Sequence, residues 1–260
     1  MNAYDKVMAA RDSKRLTAVD YINKMFGSSF IEMHGDRRFG DDKAIVGGLA
    51  MLYDQPITVI GIEKGRNTKE RMNRNFGSAN PEGYRKALRL MKQAEKFHRP
   101  VFCLVDTSGA YPGIGAEERG QGLAIAENLM EMMTLKTPVL SIIIGEGGSG
   151  GALALAVADE VWMLEDSIYS VISPEGCASI LWKDSSKAPE ASNCLKLTSH
   201  DLFDLGVIER IIREPVDSDD RKMFEGLKML VARTFEKNMA VDTDKLIDTR
   251  YARFRKFGKK

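Results

Sequence analysis

The sequence has 260 residues, 43% of them hydrophobic, with 38 Lys plus Arg set against 37 Asp plus Glu. The balance of charge excludes the broad basic field of a nucleic-acid or membrane binder, and the length is ample for a buried core. Cys103, Cys177 and Cys194 never form a C-x-x-C pair, which rules out a zinc ribbon within this chain and argues against a disulfide framework.

The opening stretch, MNAYDKVMAARDSKR, lacks the apolar core of a signal peptide. No uncharged run reaches the ~18 residues of a membrane span, so a cytoplasmic enzyme is expected. Residues 1–26 read as an N-terminal helical segment, with Thr17 an N-cap ahead of Asp20, Tyr21 and Ile22. AIVGGLAMLY (44–53) and PITVIGIEK (56–64) flank Asp54-Gln55 as the strands of a hairpin. Residues 65–79 then form a polar loop; from Lys64 on, the basic residues Arg66, Lys69, Arg71 and Arg74 stand against only Glu63 and Glu70. That charge suits either a solvated surface or attraction for an anionic ligand or an acidic partner. Asn80-Pro81 starts a helix that Tyr84, Ala87, Leu88, Met91 and Phe97 continue.

PVFCLVD (100–106) is a buried-type strand, followed by the turn SGAYPGIG and a helix over about 116–135. PVLSIIIG (138–145) is the next strand, and GEGGSGGALA leads into a short helix. EVWMLE (160–165), IYSVI (168–172) and VIERII (207–212) read as strands, PEGCASILW as a helix. From Asp219 the chain reads as a helix and a basic tail, RYARFRKFGKK. This order is α/β, and strands that are apolar without alternation imply a sheet covered on both faces. No Pro/Gly/Ser linker divides residues 1–260, which are therefore expected to form one domain.

GEGGSGGALA (145–154) satisfies three patterns at once. Gly145, Gly147 and Gly150 fit G-x-G-x-x-G, the dinucleotide fingerprint, with Glu165 or Asp166 where a ribose-binding acid would stand. Gly147, Ser149 and Gly151 fit G-x-S-x-G, the hydrolase nucleophile elbow, which needs a base. His200 is the only histidine after Ser149, and in LTSHDLFDLG either Ser199 or His200 reads as a cap or a solvated group. The third reading is an anion or oxyanion hole of backbone N–H groups at a helix start, which asks for no titrating side chain. DTSGAYPG (106–113) supplies a second such turn, where Gly109-Ala110 offers N–H groups or pocket wall. Two glycine-rich turns after adjacent parallel strands converge where α/β sites form.

GDRRFGDDKAIVGG (35–48), KGRNTKERMNRNFGSANPEGYRKALRLM (64–91), DTSGAYPGIGAEERGQ (106–121), IGEGGSGGALA (144–154) and YSVISPEGCASILW (169–182) closely resemble the carboxyltransferase α subunit of bacterial acetyl-CoA carboxylase. The resemblance runs from about residue 17 to about 213, and DLFDLGVIERII (201–212) is similar to the closing element of the crotonase superfamily. It implies a crotonase-like (ClpP/crotonase) spiral of repeated ββα units.

The implied reaction moves a carboxyl group from carboxybiotin, on the biotin carboxyl carrier protein, to acetyl-CoA, forming malonyl-CoA for fatty acid biosynthesis. Biotin would then be carried on the partner and not on this chain, ATP would be used by the partner biotin carboxylase, and no metal is expected here. A zinc-ribbon β subunit would complete the site, in an α₂β₂ assembly, and would activate acetyl-CoA. The resemblance places the oxyanion hole for carboxybiotin on the amides of Gly150 and Gly151. Gly109, Ala110, Tyr111, Gly148 and Ser149 would line the substrate pocket, with Arg66 and Lys69 drawing in CoA phosphates or the carrier. Ser108 stands where the family has proline, and the N-terminus is shorter than the helical arm of many members. Ser149 then acts as a spacer, and proline at 151 is expected to be tolerated in the helix's first turn.

Overall fold

Capping starts the chain's first two helices. In the computed structural model, which describes residues 1–258, Asn2 and Asp5 cap each other: the Asn2 amide donates to Asp5 Oδ2 at 2.9 Å and the Asp5 amide to Asn2 Oδ1 at 2.8 Å. The pattern repeats fifteen residues on, where the Thr17 amide donates to Asp20 Oδ2 at 2.9 Å. The N-cap expected at Thr17 thus starts a second helix, and the N-terminal segment consists of α1 (Ala3–Ala10) and α2 (Ala18–Phe26).

A short strand β1 (Ile31–Glu32) leads to the hairpin β2 (Ile45–Leu52) and β3 (Gln55–Ile62). Leu52 pairs Gln55, so the turn falls on Tyr53-Asp54, with Tyr53 at φ +54°, one residue earlier than the sequence suggested. The basic loop contains a short helix, α3 (Thr68–Asn73), whose N-cap Asn67 accepts from the Glu70 amide at 3.0 Å. Pro81 opens α4 (Pro81–Lys96), as its fixed φ favours. Next come β4 (Val101–Thr107), α5 (Ile114–Glu118) and α6 (Gln121–Met133). The expected single helix over 116–135 is broken because Gly120 sits in the left-handed region, at φ +82°.

The chain continues through β5 (Val139–Gly148), α7 (Ser149–Leu153), β6 (Glu160–Leu164), β7 (Ile168–Ser170) and α8 (Pro174–Trp182). It ends with α9 (Ala188–Leu195), α10 (Ser199–Asp204), β8 (Arg210–Ile212), α11 (Arg221–Met239) and α12 (Thr243–Arg255). The basic tail is therefore helical through Arg255, while Lys259 and Lys260 lie outside the described residues.

The strands lie in the order β1-β2-β3-β4-β5-β6-β8, antiparallel up to β3 and parallel beyond it. β5 pairs β6 over Leu140–Ile143 and β7 over Glu146–Gly148, so it bends from one partner to another just before the glycine-rich stretch. Both faces of the sheet are covered. Val101, Cys103 and Val105 face a cluster with Leu90 and Met91 of α4 and Met132 of α6, while Phe102 and Leu104 face Tyr21 and Ile22 of α2 and Phe224 and Val231 of α11. Burial of these side chains, at about 25 cal/mol per Å² of apolar surface, is the main force holding the layers together.

Candidate active site

β4 and β5 are neighbours in the parallel sheet, so the turns at their carboxyl ends meet. The contact leaves no room for side chains. A Cβ on Gly148 would lie 2.2 Å from the Ser108 carbonyl oxygen, and one on Gly151 would lie 2.7 Å from the Ala110 nitrogen and 2.9 Å from the Tyr84 hydroxyl. Gly150 differs: its Cβ would meet only Ile125, at 3.6 Å, an ordinary contact. Gly150 and Gly151 occupy the second and third positions of α7, where helix geometry gives an amide no internal acceptor. Among the described residues no other acceptor takes these two amides. Ser149 is exposed and held at φ +50°.

In the facing turn, the Gly109 amide donates to Thr107 Oγ1 at 3.0 Å and the Tyr111 amide to the Ala79 carbonyl at 3.1 Å. Gly109 and Tyr111 are therefore wall, with their N–H groups already engaged. Gln121 secures the turn by donating to the Tyr111 carbonyl at 2.9 Å. Two cavities open from Ser149. One, about 590 Å³, is largely apolar and bounded by Gly150, Leu153, Tyr169, Leu202, Phe254 of α12 and Phe257 just beyond it. The other, about 290 Å³, has a mixed lining, with Ser108, Ser170, Arg11 and Glu146 beside Gly148, Ile168 and Ile172.

Beneath these turns lies a chain of buried charge. Lys64 Nζ stands 2.7 Å from Asp106 Oδ1 and 2.8 Å from Glu146 Oε2. Burial opposes its ammonium form, but the two carboxylates outweigh that and raise the lysine above the usual amine range. Arg11 donates to Glu146 at 2.8 Å and to Glu175 at 2.7 Å. Burial would raise the Glu146 carboxyl, yet Lys64 and Arg11 together hold it below the usual range.

The basic loop thus divides. Lys64 turns inward. Arg66 pairs with Asp20, and Arg74 donates to the Lys43 carbonyl at 2.6 Å. Arg66 and Lys69 are both exposed, and neither borders the cavities that open from Ser149. The sequence reading missed Arg11, Glu146 and Glu175 as site neighbours and treated Asp106 only as part of a turn. An acid ending each of two otherwise apolar strands was the available signal for Asp106 and Glu146.

The competing patterns find no support around Ser149. His200 is solvent-exposed and 3.9 Å from Glu165, with Thr198 and not Ser199 or His200 capping α10. His34 lies against Asp41, and neither His34 nor His98 borders the Ser149 cavities. Asp166 pairs with Lys6 and borders a different cavity, and α7 is only five residues long. Proline at 151 is also not the mild change expected, since its Cβ would meet backbone at 2.7 Å. Among the described residues there is no cluster of His, Cys, Asp and Glu able to hold a metal ion, and no helix is long and apolar enough to cross a membrane.

The fold, in which a central strand changes partner and ends in one glycine junction with a second beside it, is crotonase-like. Solved structures share the fold. A Pseudomonas malonate decarboxylase hetero-tetramer in complex with coenzyme A has a chain that matches with a TM-score of 0.72 at 14% identity, over 92% of this chain and 97% of that one. Transcarboxylase 12S matches with a TM-score of 0.68 at 20% identity over 85% of this chain, which spans 43% of the transcarboxylase chain. The family model described as acetyl co-enzyme A carboxylase carboxyltransferase-like matches residues 1–258. Relatives called acetyl-coenzyme A carboxylase carboxyl transferase subunit alpha are 61% identical in Ruminiclostridium cellulolyticum, over 99% of this chain and 98% of the relative, and 58% identical in Streptococcus pyogenes, over 95% and 96%. The chain belongs to the acetyl co-enzyme A carboxylase carboxyltransferase family.

Proposed function

We propose that the chain is the α half of a carboxyltransferase that moves a carboxyl group from carboxybiotin, borne by a carrier protein, to acetyl-CoA, giving malonyl-CoA. The observation that carries the assignment to a site is the pair of unengaged amides on Gly150 and Gly151, seated where no side chain fits behind Gly151. Carboxybiotin is a substrate here, and it supplies the activated carboxyl group. Its departure leaves negative charge on the ureido oxygen. Two fixed amides in the first turn of a helix stabilise such charge without a proton transfer, because their dipoles are already oriented. Gly148, Gly109, Ala110 and Tyr111 shape the wall, and Ser149 keeps the two glycine pairs apart. The apolar cavity beside Gly150 excludes water from the reacting carboxyl group.

One hole cannot serve both oxygens on which charge develops. The acetyl thioester oxygen needs a second, and we assign that to a zinc-ribbon β-type subunit, joined with this chain as α₂β₂ and served by a biotin carboxylase. Arg66 and Lys69 lie outside the Ser149 cavities, so their role in this reading is to attract the carrier or CoA phosphates at long range. The test compares Gly150→Ala with Gly150→Pro after assembly with the β-type partner. The alanine keeps the amide and meets only Ile125, whereas the proline removes the amide at a helix position that tolerates it. Turnover of the proline variant should fall about 10²–10³-fold below that of the alanine variant, the effect of losing one oxyanion donor. Equal turnover in two folded variants would refute the assignment.

A further inference from the structure

The parallel ladder between β4 and β5 breaks beside the site. Registered pairs run from Val101 with Val139 to Val105 with Ile143, and the next pair is Thr107 with Gly147. The residue skipped on β4 is Asp106. Its carboxylate takes the place of the missing ladder partner: Oδ1 accepts from the Glu146 amide at 2.9 Å. The carboxylate lies so close over β5 that a Cβ on Gly145 would come within 2.4 Å of it, which explains the first glycine of GEGGSGG. Lys64, two residues past the end of β3, places its ammonium between this carboxylate and that of Glu146.

We infer that Lys64 is a positioning residue for carboxyl transfer: by bridging Asp106 and Glu146 it locks the offset between β4 and β5, and with it the fit of the Ser108–Ala110 turn against Gly148 and Gly151. The inference rests on the Gly150–Gly151 reading above. Lys64 does not touch the reacting atoms. Its effect passes through Asp106, two residues before Ser108, and Glu146, two residues before Gly148. Two carboxylates about one hydrogen bond from a common point repel unless a cation or a proton lies between them. Arg11 offsets part of the charge but also faces Glu175. Arg15, Asp12 and Arg71 border the same cavity and contribute no contact within hydrogen-bond range of Lys64.

The measurement is the pH profile of turnover for the assembled enzyme carrying Lys64→Met, Lys64→Met with Glu146→Gln, or neither. For Lys64→Met, kcat relative to wild type should drop at least about tenfold at pH 8, since displacements near 1 Å cost up to 10²-fold, while KM for acetyl-CoA stays within about twofold. The deficit should shrink toward pH 6, where a proton shared by the two carboxylates replaces the lysine. The double variant removes one carboxylate, so its profile should parallel wild type with most of the turnover restored. A Lys64→Met profile that parallels wild type, or a double variant no better than the single, overturns the inference. If Lys64→Met does not fold, a double variant that folds and turns over supports it, and one that also fails to fold overturns it. An inactive wild-type assembly would instead count against the carboxyl-transfer reading itself.

Discussion

Neighbouring glycines in the site answer to different constraints. A methyl on Gly151 would press into the backbone of Gly109 and Ala110, whereas one on Gly150 finds ordinary contact. Gly151→Ala should therefore lower unfolding free energy by about 1–3 kcal/mol. Gly150→Ala should raise it by up to about 1 kcal/mol, as a helical glycine replaced by alanine does. Urea titration of both variants reads the contrast. Ser149→Ala should keep activity of the assembled enzyme within about tenfold, because no base stands by its hydroxyl; a loss of more than about a thousandfold, toward the roughly 10⁶ of a missing nucleophile, would restore the hydrolase reading. The glycine spacing was legible in the sequence, but the choice among its three meanings was not. That choice depends on where His200 and Asp166 stand in space, and both are held elsewhere, beside Glu165 and Lys6. Asp36 illustrates a role that spacing hides. Burial would raise its carboxyl, but the amides of Phe39, Arg38 and Gly40 and the Arg85 guanidinium hold it at about 2, below the ordinary 3.8. The folded carboxyl thus binds its proton less tightly than the unfolded one. The resulting stabilisation, about 2 kcal/mol, is complete above pH 3.8 and fades as pH falls toward 2. In urea titrations the gap between wild type and Asp36→Asn should accordingly narrow between pH 6 and pH 2.

Among the elements, α12 shows how a helix can escape periodicity. Arg250 is fully buried and uses all five donors: two on Asp159 at 2.9 and 2.8 Å, and three on the carbonyls of Met132, Leu135 and Thr137 at 2.7–3.0 Å. Arg253, one turn on, donates to Glu209 at 2.8 Å and to the Val207 carbonyl. From Arg250 on, the buried positions of this helix are arginines, so a search for apolar spacing reads the end of the segment as a basic tail. Elements whose inward face is apolar, such as α4 with Tyr84, Ala87 and Met91, were legible for the opposite reason. Arg250→Met should cost about 3–5 kcal/mol, because Asp159 would be left buried and unpaired along with three carbonyls. A guanidinium-chloride titration checks it. The same variant should loosen Phe254 and Phe257 and so enlarge the apolar cavity beside Gly150, readable as increased binding of an apolar fluorescent probe.

For the whole molecule, uniformly apolar strands announced a sheet buried on both faces. The exchange of partners along β5 did not show, because a bend leaves no mark on hydrophobic pattern. The surface carries one further expectation. Ile180, Leu181 and Trp182, at the end of α8, are 63, 60 and 37% exposed, and Val171 is 80% exposed. Contiguous apolar exposure of this kind suits a partner better than water. Leu181→Asp should weaken assembly with the β-type subunit about tenfold or more while leaving the chain folded, as sedimentation and circular dichroism would show.

The strand order has a kinetic consequence. From β1 to β6 the order in space is the order of synthesis, so each new strand meets the edge laid down just before it. The contacts that close long loops are of another kind. Arg11 reaches Glu175 across 164 residues, Lys6 reaches Asp166 across 160, and Arg250 reaches the Met132 carbonyl across 118. Loop-closure entropy delays such contacts until both ends are already ordered. The sheet should accordingly gain exchange protection early in refolding, strand by strand, and the arginine ties that brace α1, α8 and α12 should form in the final phase. The glycine junction would then acquire its finished shape only when the two ends of the chain have come home.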